Sequence, residues 1–249
     1  MKVLKAIGGF FAKIWNWIKN TAWVQPLLIV GIIFGVVFSI RPIVDGIQSA
    51  INSRNEAQEY FQSNKKSLKD GSKSAADKLV ENIYDTMTSD AESEYGEKYF
   101  LVFVSKTCSE CESAYKGIKF LKNNASDYNI KNFKLYTIYI DEVTDETTTD
   151  KPAFGKFADR NEGFFNEVGA AIENSIYYSV NQKFDETSLR NFANADYEKF
   201  ETPTFLLIDN TEGRKGVSEL MFGLPGSGAM ERADLLNDCW NHQGDFDYK

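Results

Sequence analysis

Two short apolar runs on either side of a helical pattern constrain the fold of this chain more than any other feature. The first run is YFLVFVS at 99–105, and the second is FKLYTIYID at 133–141. Each run is too short for a helix and suits a strand that is buried on both faces. From Ser109 the apolar residues change to helical spacing, which predicts a helix between the two strands. This order predicts a βαβ unit with parallel strands in an α/β domain.

The C-terminal half continues the domain after a long insertion. Residues 142–200 lack a comparable strand pattern, carry 12 acidic and 6 basic residues and show helical patches, so we expect a helical insertion. TPTFLLID at 202–209 predicts a third strand, and VSELMFG at 217–223 predicts a fourth strand paired with it as a hairpin. The segment AMERADLLNDCWNHQ at 229–243 predicts a closing helix.

An uncharged block near the N-terminus predicts a membrane span. The block WVQPLLIVGIIFGVVFSI has 18 residues and ends immediately before Arg41. A helix of that length approaches the ~30 Å thickness of a bilayer core. We therefore expect residues 23–41 to form a transmembrane helix that is retained as a signal anchor. The alternative is a secretory signal sequence cleaved near Gly46, but such a sequence has a shorter apolar region, and Arg41 lies before the cleavage point.

The distribution of charge predicts the orientation of this span. Residues 1–22 contain four lysines among aromatic residues and no acidic residue. We expect this tail to stay on the cytoplasmic side, with residues 1–41 in contact with membrane lipid. Residues 42–96 show interrupted helical patterns and are expected to form a helical stalk and linker to a domain at 97–249. The prediction is a single-pass protein of the cell membrane with an extracytoplasmic C-terminal domain.

The acidic character of the remaining chain argues against nucleic-acid binding. Without residues 1–41, the chain has 23 basic and 36 acidic residues, a formal net charge of −13. A surface of this sign repels the phosphate backbone, so nucleic acid is not an expected partner.

Cys108 and Cys111 stand three positions apart where the first predicted strand gives way to the helix. The free N–H groups and the positive dipole end of a helix start stabilise a thiolate, which is the form that attacks a disulfide. Cys108 is therefore the expected nucleophile, and Cys111, one turn later, is the expected resolving thiol. The alternatives are a static structural disulfide and two buried thiols. We expect neither a cofactor nor a bound metal at this pair.

The order of these elements resembles the thioredoxin-like superfamily. The resemblance covers residues 97–243 and rests on CSEC at 108–111, the βαβ crossover, the insertion, Thr202-Pro203, the hairpin and the final helix. It implies a thioredoxin-like fold with a helical insertion. It also implies a thiol-disulfide oxidoreductase that acts on thiols or disulfides of exported proteins, with a redox partner of unknown identity. By resemblance, Pro203 is a cis-proline that faces the two cysteines, and Thr202 offers backbone hydrogen bonds to substrate.

The sequence departs from the thioredoxin pattern at three places. Thioredoxins usually have Trp before the first cysteine and Gly-Pro between the two, whereas this chain has Thr107 and Ser109-Glu110. Many thioredoxins also have a buried acid where this chain has Val102. Glu110 places a negative charge beside the expected thiolate and disfavours its ionisation. The pattern therefore leaves reductant, oxidant and isomerase open.

Two other classes of function fit parts of the sequence. Cys108, Cys111, Cys239 and His242 together supply the three sulfurs and one imidazole of a structural zinc site. Against this reading, the apolar spacing of the closing helix places Cys239 among its core residues. The second alternative is a redox-inactive thioredoxin-fold binding or scaffold protein that uses residues 142–200 for recognition. The aromatic residues of that insertion can equally form a small core of their own; they are Phe164, Phe165, Tyr177 and Tyr178.

Overall fold

The structure is a computed structural model, and its contacts divide the chain into two units, Met1–Ser53 and Arg54–Lys249. It describes residues 13, 15–21, 24–69, 72–89, 91–128, 130, 132–142, 153–175, 186–196, 198–211 and 214–242. Helix α1 (Val24–Ser63) begins in the first unit and ends in the second. The sheet and the remaining helices described below all belong to the second unit.

The prediction of a transmembrane helix at 23–41 is wrong. Across the ranges that the structure describes, no helix combines the length and the apolar character that crossing a membrane requires. The apolar block is not a separate helix, because α1 continues past Arg41 and Asp45 into the polar sequence that ends at Ser63.

The predictions that depended on this span are corrected with it. These are the signal anchor, the single-pass cell-membrane localisation and the orientation with an extracytoplasmic domain. The basic, aromatic tail at 1–22 falls largely outside the described residues, since only Lys13 and residues 15–21 are described there.

A four-stranded mixed sheet forms the centre of the second unit. Its strands are β1 (Lys98–Val104), β2 (Leu135–Tyr139), β3 (Thr204–Asp209) and β4 (Val217–Phe222), in the order β2-β1-β3-β4. β1 and β2 are parallel, and β3 is antiparallel to both β1 and β4. Each strand lies where an apolar run predicted one. The central strands β1 and β3 are buried on both faces, which explains their continuous apolar sequences.

Alternate residues of β1 point into two separate cores, as the geometry of a strand requires. Phe100 and Val102 face a core covered by helices α3 (Ser109–Asn123) and α7 (Ala229–Asn241). Leu101 and Phe103 face the opposite core. That core is covered by α2 (Ala75–Thr88), α4 (Ala153–Arg160), α5 (Glu162–Ser175) and α6 (Glu186–Ala193). The sheet is therefore the middle of three layers.

Helix α2 belongs to this core, although its sequence lies in the segment expected to be stalk and linker. A capping box between Ser74 and Asp77 starts the helix, and Leu79 and Ile83 are fully buried. The buried Asp77 carboxylate also accepts hydrogen bonds from the Arg160 guanidinium at 2.9 and 3.0 Å. This contact joins α2 to α4. The helical pattern at 75–88 therefore belongs to a helix that packs in the layer on this face of the sheet.

The helical insertion predicted at 142–200 contains α4, α5 and α6. Its phenylalanines pack directly on the sheet rather than forming a separate small core. Phe103 of β1 lies 6.1 Å from Phe154 and 5.2 Å from Phe200, measured between ring centroids. Phe164 and Phe165 are both buried in the same core. Tyr177 and Tyr178 lie outside the described residues.

Candidate redox site

The two cysteines lie where the chain turns from β1 into α3. After β1 ends at Val104, a short turn places the Cys108 N–H 3.3 Å from the Ser105 carbonyl oxygen. Cys108 is the N-cap of α3, and a disulfide joins it to Cys111 with a Cα–Cα distance of 5.3 Å. One turn of helix is enough to bring the two sulfurs together. The structure thus holds the pair in its oxidised state.

The helix start distinguishes the two sulfurs. The Cys111 N–H donates a hydrogen bond of 2.9 Å to the Sγ of Cys108. This bond and the positive end of the helix dipole favour negative charge on Cys108 when the disulfide opens. Cys108 is partly exposed, whereas Cys111 is 5% exposed. An incoming sulfur therefore reaches Cys108 first.

The Thr202-Pro203 pair lies against this disulfide. The Thr202 carbonyl oxygen is 3.2 Å from the Sγ of Cys108, and the peptide bond between Thr202 and Pro203 is cis. The Gly223 N–H, at the end of β4, donates to the Pro203 carbonyl oxygen at 2.7 Å and holds the start of β3 in place. The structure thus brings together the four residues that the sequence singled out: Cys108, Cys111, Thr202 and Pro203.

One side of the disulfide is closed by the end of α1. Ala57 and Phe61 are buried there, and the Gln58 amide donates to the Lys106 carbonyl oxygen at 3.3 Å. The Tyr139 hydroxyl donates to the Gln58 carbonyl oxygen at 3.5 Å. Only about 20 Å³ of free space remains between these residues and the two cysteines. We call this set of α1 residues the α1 wall: Arg54, Ala57, Gln58 and Phe61.

The other side opens into a groove of about 530 Å³. Thr202 lies in this groove, so the groove begins where the Thr202 carbonyl meets Cys108. Its remaining lining comes from Glu110, Glu201, residues 222–226 and Arg232. We call it the β3 groove. The groove is large enough for a polypeptide segment, and Thr202 and Glu110 connect it to the cysteine pair.

The zinc ligands suggested by the sequence do not come together. Cys108 follows the C-terminal end of β1, whereas His242 contacts Lys98 at the N-terminal end of the same strand. A strand of seven residues separates these ends by about 20 Å. Cys239 is fully buried in the core under α7. Four ligands of one zinc lie within a few ångströms of each other, so these residues cannot form that site.

His242 instead belongs to a buried ionic cluster that the sequence did not predict. Its Nδ1 lies 2.6 Å from Glu219 Oε1, and its Nε2 lies 2.6 Å from Asp209 Oδ2. The Lys98 ammonium lies 2.8 Å from the same Asp209 oxygen. Both carboxylates are 1% exposed. The chemistry of these side chains resembles a ligand set, but no group of ligands in the described ranges has the geometry to hold a metal ion.

The cluster changes the pKa of its members. Burial by itself raises the pKa of the Asp209 carboxyl, but hydrogen bonds from His242 and Lys98 outweigh it and hold the pKa well below its usual range. Burial lowers the pKa of His242, yet its hydrogen bonds to Asp209 and Glu219 raise it above the ordinary value. Burial also raises the pKa of Glu219 and of the Cys239 thiol. Cys239 is therefore a poor candidate for a reactive thiolate.

Comparison with models of protein families gives no match, and a search of curated proteins gives none either.

Proposed function

We propose that this protein is a thioredoxin-like thiol-disulfide oxidoreductase that exchanges electrons between the Cys108–Cys111 pair and the thiols or disulfides of other proteins. One observation carries the proposal: the partly exposed sulfur of a disulfide at a helix start faces the Thr202 carbonyl, and Thr202 lines an open groove. The order of elements from β1 to α7 is the order on which the thioredoxin-like resemblance rests, and it supports the proposal.

In the reducing direction, the Cys108 thiolate attacks a substrate disulfide. A Cys108–substrate disulfide forms, and one substrate thiolate leaves. Cys111 then loses its proton and attacks the Sγ of Cys108, which restores the Cys108–Cys111 disulfide and releases the second substrate thiolate. Each substrate thiolate takes up a proton, so the substrate gains two electrons and two protons. A separate dithiol must then reduce the pair.

In the oxidising direction, a substrate thiolate attacks the Sγ of Cys108 and Cys111 leaves as a thiolate. The second substrate thiolate attacks the substrate sulfur of this mixed disulfide, and Cys108 leaves. The substrate now holds the disulfide, and a separate disulfide oxidant must reoxidise the pair. Both directions use Cys108 as the sulfur bound to substrate, because Cys108 is partly exposed and Cys111 is buried.

Thr202 and Pro203 act as substrate-binding residues in this proposal. The Thr202 carbonyl oxygen accepts the S–H of reduced Cys108 at the observed 3.2 Å separation. When substrate occupies the groove, the backbone around Thr202 is placed to pair with an extended segment whose cysteine is bound to Cys108, as the resemblance implies.

The test is turnover of a disulfide-bonded protein with a small dithiol as reductant. The native chain and a Cys239→Ala variant are expected to accelerate reduction, because Cys239 lies in the core and away from the pair. The Cys108→Ala variant is expected to lose the activity. Equal rates for the native chain and Cys108→Ala in this assay, and also in the oxidation of a reduced protein by a small disulfide, favour a static disulfide in a binding or scaffold protein.

A further inference from the structure

We propose that the β3 groove selects polypeptide segments that carry Lys or Arg next to the reacting cysteine. This inference rests on the proposed function, because it specifies the substrate of the same dithiol. It depends on the direction from which substrate can approach Cys108 and on the charges that line this path.

The direction of approach follows from the free space on the two sides of the disulfide. The α1 wall leaves about 20 Å³ beside the cysteines, which is less than one side chain needs. The β3 groove offers about 530 Å³, enough for several residues of an extended segment. The β3 groove reaches the pair through Thr202, whose carbonyl oxygen lies 3.2 Å from the Sγ of Cys108, and it is the larger space for the residues that flank a substrate cysteine.

Two exposed carboxylates line this groove near the reacting sulfur. Glu110 lies between the two cysteines in sequence, and Glu201 directly precedes Thr202. The buried hydroxyl of Ser188, on α6, donates a hydrogen bond to the Glu201 carboxylate. The insertion therefore holds one of the two acidic groups beside the residue that contacts Cys108.

The groove also contains a positive charge, but one cation stands against two carboxylates. Among the described residues that line the groove, Arg232 is the only cation. Its Nε donates to the Leu224 carbonyl oxygen at 3.1 Å. The neighbouring Glu231 also interacts favourably with it, and this attraction contributes to the lowered pKa of Glu231 after the larger effect of its hydrogen bonds from Ser227. The groove thus presents a net negative charge to an incoming segment.

The occupant that complements this groove is a basic segment. An exposed ion pair contributes only a modest amount, equivalent to about a twofold to fivefold change in binding. Two carboxylates acting on one flanking residue therefore give a preference of about tenfold for Lys over Glu at low salt.

The experiment uses the reduced full-length chain with Cys111→Ala and three symmetric peptide disulfides. The peptides differ only in the residue next to cysteine, which is Lys, Gln or Glu. The rate of mixed-disulfide formation at Cys108 is measured for each peptide and divided by the rate for the Gln peptide. This division removes any uniform effect of a mutation on the reactivity of the thiolate.

We expect the Lys peptide to react about ten times faster than the Glu peptide, and we expect the difference to shrink as salt is added. Adding Glu110→Gln or Glu201→Gln should each reduce the ratio by about twofold to fivefold, and the double substitution should abolish it. The matched control is Glu81→Gln on α2, which removes one partly exposed negative charge on the other face of the sheet. That variant should keep the preference.

Equal rates for all three peptides overturn the inference and leave the proposed function intact. A preference that survives the Glu110→Gln/Glu201→Gln substitution also overturns it, because the charge must then lie elsewhere. No reaction with any peptide removes the proposed function and this inference together.

Discussion

The Sγ of Cys108 lies 3.2 Å from the carbonyl oxygen of Thr202, although 94 positions separate the two residues in the sequence. The contact joins the turn after β1 to the start of β3, and Thr202 also lines the β3 groove. The two sulfurs therefore have different environments. Cys108 contacts the Thr202 carbonyl, whereas Cys111 lies in the core under α3. The packing around α1 and α3 maintains this difference between Cys108 and Cys111.

The α1 wall is expected to protect Cys111. Phe61 is 2% exposed and packs in the core that contains Cys111. Replacing it with Ala should lower the free energy of unfolding by about 3–5 kcal/mol, since a large aromatic side chain is removed from a packed core. In the reduced protein, the alkylation rate of Cys111 relative to that of Cys108 should rise.

A Phe61→Leu variant serves as the control, because it keeps most of the apolar volume and should leave the ratio of alkylation rates close to the native value. An unchanged ratio in Phe61→Ala would show that α1 does not limit access to Cys111. The ratio is measured by mass spectrometry of peptides after brief treatment with a limiting alkylating reagent.

The close packing of α3 on α7 is expected to depend on Gly117. A Cβ at this position would lie 2.5 Å from the Arg232 Cβ and 3.3 Å from its backbone carbonyl carbon. Gly117→Ala should therefore destabilise the protein by about 1–3 kcal/mol, despite the better helix propensity of Ala. Because α3 carries the cysteines, the reaction of Cys108 with disulfides should also slow.

Gly155→Ala in α4 provides a matched comparison. A Cβ there meets no atom within 4 Å, so the helix propensity of Ala should stabilise the protein by up to about 1 kcal/mol. Chemical denaturation of both variants measures the difference. Equal stability changes in the two variants would contradict the packing argument.

The buried ionic cluster is expected to lower the free energy of unfolding at both low and high pH. The raised pKa of His242 contributes stability that is complete below about pH 6.5, the pKa in the unfolded chain, and is lost as pH rises through the higher folded value. The lowered pKa of Asp209 contributes stability that is present above about pH 3.9 and is lost as pH falls toward the lower folded value. The raised pKa of Glu219 contributes stability that is complete below about pH 4.3, the pKa in the unfolded chain, and is lost as pH rises through the higher folded value.

His242→Gln tests this account, because it leaves Asp209 and Glu219 buried without the imidazolium. We expect a loss of about 3–5 kcal/mol near neutral pH and a flatter dependence of stability on pH above 6.5. Disulfide exchange at Cys108 should persist, since the cluster lies at the opposite end of β1. An unchanged slope of stability against pH in this variant would contradict the assignment. Denaturant titrations at a series of pH values give the measurement.

The strands and the cysteine pair could be predicted because their signals are local. β1 and β3 are central strands, so the burial of both faces leaves continuous apolar runs in the sequence. The cysteines stand where the spacing of apolar residues changes from strand to helix. Local patterns of this kind need no knowledge of which elements pack together.

The remaining features depend on contacts between distant segments. The helical pattern of α1 predicted a helix but not that Ala57 and Phe61 would cover the dithiol. Similarly, a lone histidine near the C-terminus does not reveal that two acids on β3 and β4 will flank it. The prediction of a transmembrane helix before Arg41 was wrong, and the apolar block there is one part of a helix that runs from Val24 to Ser63.

Exchange with substrate at the Sγ of Cys108 is the step on which the proposed function depends. The most direct test is the intact mass of the reduced full-length Cys111→Ala protein after mixing with a peptide disulfide. We predict one peptide adduct, located at Cys108 by fragmentation, removed by a dithiol reductant and missing from the Cys108→Ala protein. The absence of an adduct in Cys111→Ala, or an adduct located at Cys239, would contradict the account.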